Sequence, residues 1–183
     1  VTDVTDGTCK PLPGAQVDIW HCDAEGTYSG VEGEGAADKL FLRGYQVTDE
    51  NGMAVFKTIY PGWYPGRKVH IHFKIRTEPE AETGYEFTSQ LFFDDDLTDT
   101  VYEDPLYAAK GTRNTTNDDD NIFNGSEGLL TLELVPLTEE EQDEEGEAGY
   151  AAVFEIGLDL NDDTSSQSDF NQRGGPGGNR PPD

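Results

Sequence analysis

The sequence predicts an all-β fold, an antiparallel β-sandwich with long irregular loops. Two observations predict it: short apolar runs alternate with polar residues at period 2, and turn residues separate these runs. The chain of 183 residues contains 21 glycines and 10 prolines, which suits short strands joined by turns. No convincing amphipathic helical pattern interrupts them. A chain of this length can bury the core of a single domain.

Seven segments carry the strand pattern. The first begins at Gln16 and ends at Cys22, with Val17 and Ile19 on one face. The other predicted strands cover residues 40–47, 53–59, 69–75, 88–93, 129–135 and 150–158. Residues 94–128 lack the pattern and are predicted to be irregular. A connection of that length is typically a functional loop or a flap.

One domain is predicted over residues 1–160, followed by a disordered tail over residues 161–183. Ser, Gly, Pro, Asn and Asp dominate the tail, and no hydrophobic periodicity survives in it. Residues 139–147 hold seven acidic side chains in nine positions, which predicts an exposed, mobile hairpin tip. No stretch approaches the roughly 18 apolar residues of a membrane span. No signal peptide precedes Val1, so we expect that any such segment was removed or left out.

The chain is strongly acidic. It has 38 acidic and 12 basic residues and a formal net charge of -26. Such a charge repels phosphate backbones and anionic lipid, so nucleic acid and anionic membranes are poor partners. Two explanations of the acidity remain open. One is a surface suited to high salt, where screening removes the self-repulsion, and the other is a soluble extracellular protein with acidic loops.

The two cysteines, Cys9 and Cys22, flank a turn that runs from Pro11 to Gly14. Their spacing fits none of the zinc patterns, which need close pairs of Cys or His. We expect a disulfide, which would tie the start of the chain to the first strand; two buried thiols are the alternative. A disulfide would indicate an oxidising compartment and a secreted or cell-surface protein.

The strongest chemical signal lies in residues 63–73. Val69 and Ile71 alternate with His70 and His72, so both histidines point to one face of a strand. Residues two apart on a strand are roughly 6.5 Å apart, close enough for two imidazoles to reach one metal ion. The chain has only 3 histidines, which favours a ligand pair over the alternative, two polar residues on a solvated sheet face.

Two further side chains bear on this hypothesis. Tyr64 lies shortly before the histidine pair, on a turn framed by proline and glycine that can bend its phenol over the same face. The third histidine, His21, stands between Trp20 and Cys22 on another strand, and a structural role is expected for it.

A series of motifs extends from about residue 9 to about residue 136. They are Pro11-Leu12-Pro13-Gly14-Ala15, Val17-Asp18-Ile19-Trp20-His21-Cys22, Gly26-Thr27-Tyr28-Ser29, Leu42-Arg43-Gly44-Tyr45-Gln46, Asp49, Gly52 and the stretch from Pro61 to His72. This series resembles the intradiol ring-cleavage dioxygenases, in particular their small secreted branch. Two spaced tyrosines combined with His-x-His are far more specific than either half alone.

The resemblance implies a non-haem ferric ion, Fe(III), bound by Tyr28, Tyr64, His70 and His72. Iron(III) is a hard ion that favours phenolate oxygen, and its charge can deprotonate a tyrosine whose pKa is ordinarily about 10. In this family a catechol displaces the tyrosine that matches Tyr64. The implied partners are therefore a catechol-type substrate and O2, which is inserted between the two hydroxyl-bearing carbons to give a cis,cis-muconate-type diacid.

Two more residues match the family's active site. Arg67 matches an arginine whose charge would stabilise anionic charge on the ring, and Gln90 matches a glutamine near the substrate. Each has an alternative interpretation. Arg67 would then be a loop arginine paired with one of the 38 acidic residues, and Gln90 a strand residue facing outward.

The sequence departs from the family in two respects. A segment with a Gly-Pro-Tyr element normally precedes the first strand, and the chain begins at Val1 without it, so a fragment is expected. The helical dimerisation segment of the larger intracellular catechol dioxygenases is also absent from this sequence. Their dimer is therefore not assumed, and the oligomeric state stays open.

Two other classes of protein remain as alternatives. A cupin also uses His-x-His on a β-strand, but its next ligand is a Glu after three or four intervening residues. Arg76 and Thr77 occupy those positions here, and Glu78 stands one place beyond them. A prealbumin-like binding domain would suit the first strands equally well. Iron content separates the binding domain from the enzymes, and phenolate-to-iron absorption separates the dioxygenase from the cupin.

Overall fold

The computed structural model describes residues 1–33, 35–79, 84–138, 140, 142 and 149–162. The strands are β1 (Thr2–Asp3), β2 (Lys10–Pro11), β3 (Gln16–Trp20), β4 (Arg43–Val47), β5 (His70–Arg76), β6 (Glu86–Phe92), β7 (Val135–Pro136), β8 (Tyr150–Ala151) and β9 (Gly157–Leu158). The helices are α1 (Asp95–Val101), α2 (Pro105–Ala108), a 3₁₀ turn (Asn117–Asp119) and α3 (Asn121–Gly125). Most of the predicted acidic tip and tail lies outside the described residues.

A four-stranded antiparallel sheet in the order β4-β3-β5-β6 positions the site. Its register places Trp20 opposite His72, and His72 opposite Gln90. Directly opposed residues point to the same side of a sheet, so these three side chains form one row. Elsewhere β1 pairs with β2 and, in parallel, with β9, and β7 pairs with β8.

The other face of β5 lies in the core. Phe73 and Ile75 are buried in a cluster with Val17 from β3 and Leu158 from β9. The three-stranded sheet β2-β1-β9 therefore packs on the central sheet through Leu158. Burial of each such side chain stabilises the fold by roughly 1.5–3 kcal/mol. The predicted alternation along this strand is therefore confirmed, because the apolar side chains and the histidines lie on opposite faces.

The all-β class is confirmed in its coarse form, with mainly antiparallel sheets and few helices; the sandwich arrangement stays a prediction. The strand predicted over residues 53–59 is wrong, since that segment forms no strand. Two of its apolar side chains, Met53 and Val55, are 54% and 73% exposed. Alternation alone is not enough to make a strand where no neighbouring strand supplies hydrogen bonds.

The prediction that residues 94–128 are irregular is also wrong in part, because three short α-helices lie there. Asp94, Asp104 and Asp120 cap their first turns, each accepting a hydrogen bond from a backbone N–H two or three residues later. These helices span four to seven residues, which is too short for a 3.6-residue hydrophobic period to appear in the sequence. No helix in the described ranges is long and apolar enough to cross a membrane.

The predicted disulfide between Cys9 and Cys22 is wrong. Cys9 is exposed and Cys22 is buried, and the two residues are not joined. The thiol of Cys22 donates a hydrogen bond to the Gly62 carbonyl at 3.3 Å, which places the cysteine between the first long strand and the loop that carries Tyr64. The oxidising compartment inferred from a disulfide loses this support.

Candidate active site

Two phenols and two imidazoles converge on one point. The Nε2 atom of His70 lies 3.3 Å from the Tyr28 hydroxyl, 3.2 Å from the Tyr64 hydroxyl and 3.1 Å from Nε2 of His72. The histidines come from neighbouring positions on one face of β5, and the tyrosines come from two loops. The structure thus brings together all four residues that the sequence predicted as metal ligands.

Hydrogen bonding sets the tautomer of His70. Its Nδ1 lies 2.6 Å from the Lys68 carbonyl, and a carbonyl only accepts, so Nδ1 carries the proton. The lone pair of Nε2 therefore faces the two phenols. This is the arrangement by which proteins orient a histidine toward a metal ion.

Stacking orients the second imidazole. The rings of Trp20 and His72 lie parallel, with centroids 4.9 Å apart and planes within 1°. Their contact follows from the sheet register, since the two residues are directly opposed on β3 and β5. Trp20 is a site residue that the sequence interpretation missed, although its place in the strand pattern could have revealed it.

Two glycines hold the tyrosine loops together. Gly26 has a φ of 76°, and a Cβ built on it would lie 2.0 Å from the Trp63 carbonyl oxygen. A Cβ on Gly62 would lie 2.5 Å from the Asp23 carbonyl oxygen, and the Gly62 N–H donates to that same oxygen at 3.0 Å. The two loops thus approach each other backbone to backbone at these positions, because neither glycine has a side chain.

Burial determines the protonation of the four groups. It lowers the pKa of His70 to about 3 and also lowers the pKa of His72. It raises the pKa of Tyr64 to about 12 and that of Tyr28 well above its ordinary value. At neutral pH both imidazoles are therefore neutral and both phenols protonated, and only a strong positive charge at their meeting point would ionise the phenols.

Arg67, Gln90 and Asp120 form a polar group beside these rings. Nη2 of Arg67 donates to Oε1 of Gln90 at 2.5 Å, and Nε donates to Oδ2 of Asp120 at 2.9 Å. Gln90 is 1% exposed rather than outward-facing, and its Nε2 donor is buried with no hydrogen-bond partner in the described part of the chain. A buried amide donor of this kind is available to a bound ligand.

Asp120 was missed by the sequence interpretation. It is 2% exposed, and besides Arg67 its carboxylate accepts from the backbone N–H groups of Lys68, Ile122 and Phe123 at 2.8, 2.8 and 3.1 Å. The only local signal was that of a helix N-cap, an Asp before a short apolar stretch. Its link to Arg67 spans 53 positions in the chain.

The side chain of Lys68 is buried beside this group. It is 1% exposed, and its Nζ lies 3.8 Å from the centroid of the Phe123 ring and 5.7 Å from that of Phe92. Nζ has no hydrogen-bond partner within the described ranges. Burial lowers the pKa of this lysine to about 8.

The remaining candidates lie apart from this centre. Both ring nitrogens of His21 are engaged, with the Cys22 carbonyl at 2.8 Å and Oγ1 of Thr58 at 2.7 Å, which is a structural role. Glu78, the nearest equivalent of a cupin's carboxylate ligand, is exposed beyond the end of β5. No group of three or more His, Cys, Asp or Glu that could hold a metal occurs in the part of the chain that the structure describes. A metal at this site would therefore need the tyrosines.

Comparison with known proteins agrees with this geometry. A family model described as Dioxygenase matches residues 2–159. The chain is 29% identical over 125 residues to a catechol 1,2-dioxygenase of Candida albicans, a match that covers 58% of this chain and 39% of that protein. It is 30% identical over 121 residues to a chlorocatechol 1,2-dioxygenase of Pseudomonas putida, covering 55% and 46%. The chain thus spans less than half the length of these curated relatives.

A solved structure is also similar. The chain matches an intradiol ring-cleavage dioxygenase from Tetranychus urticae with a TM-score of 0.61 and 34% sequence identity, over 74% of this chain and 70% of that one.

Proposed function

We propose that this chain, a member of the intradiol ring-cleavage dioxygenase family, cleaves catechol-type aromatics between their two hydroxyl-bearing carbons, with O2 as the second substrate. The product would be a cis,cis-muconate-type diacid. The observation that carries the proposal is the convergence of Tyr28, Tyr64 and His72 on Nε2 of His70 within 3.3 Å.

The donor set fits a ferric ion. Tyr28, Tyr64, His70 and His72 would hold it, since two phenolates suit a hard trivalent cation and two neutral imidazoles complete a mixed oxygen and nitrogen set. Loss of two phenol protons would compensate most of the ion's charge. When bound, the ion would supply a Lewis-acidic centre for the catechol oxygens and would make the ring reactive toward O2.

Tyr64 is the residue that we assign to proton transfer. Tyr64 is only partly buried and lies on a loop that turns at Gly66, which has a φ of 84°. Tyr28 is buried, with 9% of its surface exposed. Burial raises the pKa of the Tyr64 phenol to about 12, so its phenolate, once a catechol displaces it from the ion, would be a strong enough base to take a hydroxyl proton from that catechol.

Arg67 and Gln90 would face the substrate. The Arg67 guanidinium is fixed at Nε by Asp120 and at Nη2 by Gln90, so its charge is preorganised beside the ligand rings. Gln90 is held through its carbonyl oxygen, which leaves its buried Nε2 to donate to an oxygen of the substrate. Both groups would stabilise negative charge that develops on the substrate ring.

The test is iron content combined with ultraviolet-visible absorption of the purified chain. We expect stoichiometric iron and a visible band from phenolate-to-iron charge transfer, which an added catechol replaces with a broader, redder band in the absence of O2. Admission of O2 should then consume the catechol and release the diacid. A colourless protein that takes up no iron on refolding with ferrous or ferric salt would contradict the assignment and favour a binding domain.

Replacement of Arg67 tests the role of the charge. Arg67→Ala should keep its iron and its phenolate band but slow ring cleavage by about 10²- to 10³-fold, because the guanidinium acts on the substrate and not on the metal. Steady-state kinetics and iron analysis on the same preparation measure both quantities. Unchanged turnover would show that Arg67 does not act on the substrate and only forms an ion pair with Asp120.

A further inference from the structure

Lys68 connects three parts of the site through different atoms. Its carbonyl accepts the Nδ1 proton of His70 at 2.6 Å, and its backbone N–H donates to Oδ2 of Asp120 at 2.8 Å. Its ammonium lies 3.8 Å from the centre of the Phe123 ring. Asp120 and Phe123 are the N-cap and the third residue of α3, so Lys68 holds this helix at two places.

The ammonium of Lys68 is unusual for this chain. The lysine and the arginine of β5, the strand that follows it, have carboxylate partners: Lys74 pairs with Glu86 at 2.7 Å, and Arg76 pairs with Asp18 at 3.0 Å. Lys68 is buried and instead lies over an aromatic ring, without a hydrogen-bond acceptor in the described ranges. A buried cation without an acceptor opposes folding, so its presence calls for an explanation other than stability.

We propose that Lys68 is a positioning residue for Arg67. The cation–π contact with Phe123 holds α3 against β5, and this keeps the Asp120 carboxylate on Nε of Arg67. Phe123 also packs edge-to-face on Phe92, with ring centroids 5.3 Å apart, so the contact extends to the strand beside the two histidines. An uncharged side chain of the same length would fill the space but would lose the attraction that sets the position of the helix.

The first test compares Lys68→Met with Lys68→Arg. Methionine keeps the length and removes the charge, whereas arginine keeps a cation that can stack on the Phe123 ring. We expect Lys68→Met to keep its iron and its melting temperature and to bind catechol without O2 about tenfold more weakly, the lower end of what residues behind a metal site typically contribute. Lys68→Arg should recover most of this affinity. Equal affinity in Lys68→Met and the parent would overturn the proposal.

Lys74→Met is the matched control. It removes a lysine from β5, the strand that follows Lys68, but one whose ammonium pairs with a partly exposed glutamate. We expect its affinity for catechol to equal that of the parent. A tenfold loss here as well would mean that removal of any nearby lysine affects binding through net charge, and it would overturn the specific role of Lys68.

A double mutant tests the route through Arg67. If Lys68 acts by positioning that guanidinium, Lys68→Met should weaken catechol binding in the parent and have no further effect in an Arg67→Ala background. An equal loss of catechol affinity in both backgrounds would show that Lys68 does not act through Arg67. Phe123→Leu removes the same cation–π contact with the lysine in place, and it should reproduce the loss even if Lys68→Met folds poorly.

The affinity readout rests on the proposed function, so a metal-free measurement accompanies it. In protein without iron, hydrogen exchange at the amides of Ile122 and Phe123, which donate to Asp120, should be faster in Lys68→Met than in the parent or in Lys74→Met. Unchanged exchange would overturn the inference. Failure of the parent itself to take up iron or bind catechol would instead contradict the proposed function and leave the exchange result standing.

Discussion

The two halves of the proposed donor set are held in different ways. His70 and His72 lie on a central strand whose neighbours on both sides are hydrogen-bonded to it, so the pleat of the sheet sets their spacing. Tyr28 and Tyr64 lie on loops that are fixed by backbone contact at Gly26 and Gly62. The strand thus holds the two imidazole nitrogens at a fixed spacing, while the positions of the phenolic oxygens depend on how closely two loops approach each other.

The largest effect should come from the strand. His72→Ala should abolish stoichiometric iron, because it removes one of four protein donors from the rigid half of the set. Tyr64→Phe should instead retain iron and weaken or shift the visible band, since Tyr28 still supplies a phenolate and we propose that a catechol displaces Tyr64 without loss of the ion. Metal analysis and absorption spectra of both variants measure the contrast. Equal loss of iron in both would remove the distinction between strand and loop donors.

The next effect concerns the contact between the loops. Gly26→Ala should lower the free energy of unfolding by on the order of 1–3 kcal/mol, because its φ is 76° and its Cβ would overlap the Trp63 carbonyl. The visible band should weaken at the same time, since the loop that carries Tyr28 must move. Thermal melts and spectra check this result.

The matched control for this change is Gly44→Ala. Gly44 lies on the edge strand β4, and nothing comes within 4 Å of a Cβ built there. We expect Gly44→Ala to leave both the melting temperature and the band unchanged. A band that survives in Gly26→Ala would show that the loop contact does not position the phenol.

A smaller effect is expected at the polar group beside the rings. Asp120→Asn should lower kcat/KM for catechol by about 10- to 100-fold with iron retained, because it weakens the hold on Arg67 without touching a metal donor. Asp99→Asn is the control, since Asp99 pairs with Arg113 at 2.9 Å and its side chain is 67% exposed. Steady-state kinetics of the pair should separate them, and equal values would place Asp120 outside the active site.

The smallest effect should come from salt, which acts on the whole surface and not on either half of the donor set. With a formal net charge of -26, self-repulsion should weaken as the Debye length falls from about 10 Å at 0.1 M to about 3 Å at 1 M. The melting temperature should rise over this range, as calorimetry can measure. A flat curve would show that the acidic residues lie too far apart to repel each other measurably.

The histidine pair could be predicted from local pattern, whereas Tyr28, Arg67 and Gln90 were identified only through the family resemblance. The period-2 alternation around His70 placed both histidines on one face, and the same signal identified the central strands. The same signal predicted a strand wrongly over residues 53–59, which alternate but form no strand, because no neighbouring strand supplies hydrogen bonds to them. The short helices between residues 94 and 128 were not predicted, because four to seven residues contain too few turns to show a 3.6-residue hydrophobic period.

The sequence by itself determined the central strands, the histidine pair and the turn chemistry of the tyrosine loops, because these depend on residues a few positions apart. Only the tertiary structure decided that Asp120 holds Arg67 across 53 positions, that Trp20 stacks on His72, and that Cys22 contacts Gly62 instead of Cys9. Such contacts depend on how separate elements pack, and packing follows from the shape and burial of the whole chain, which no local period encodes.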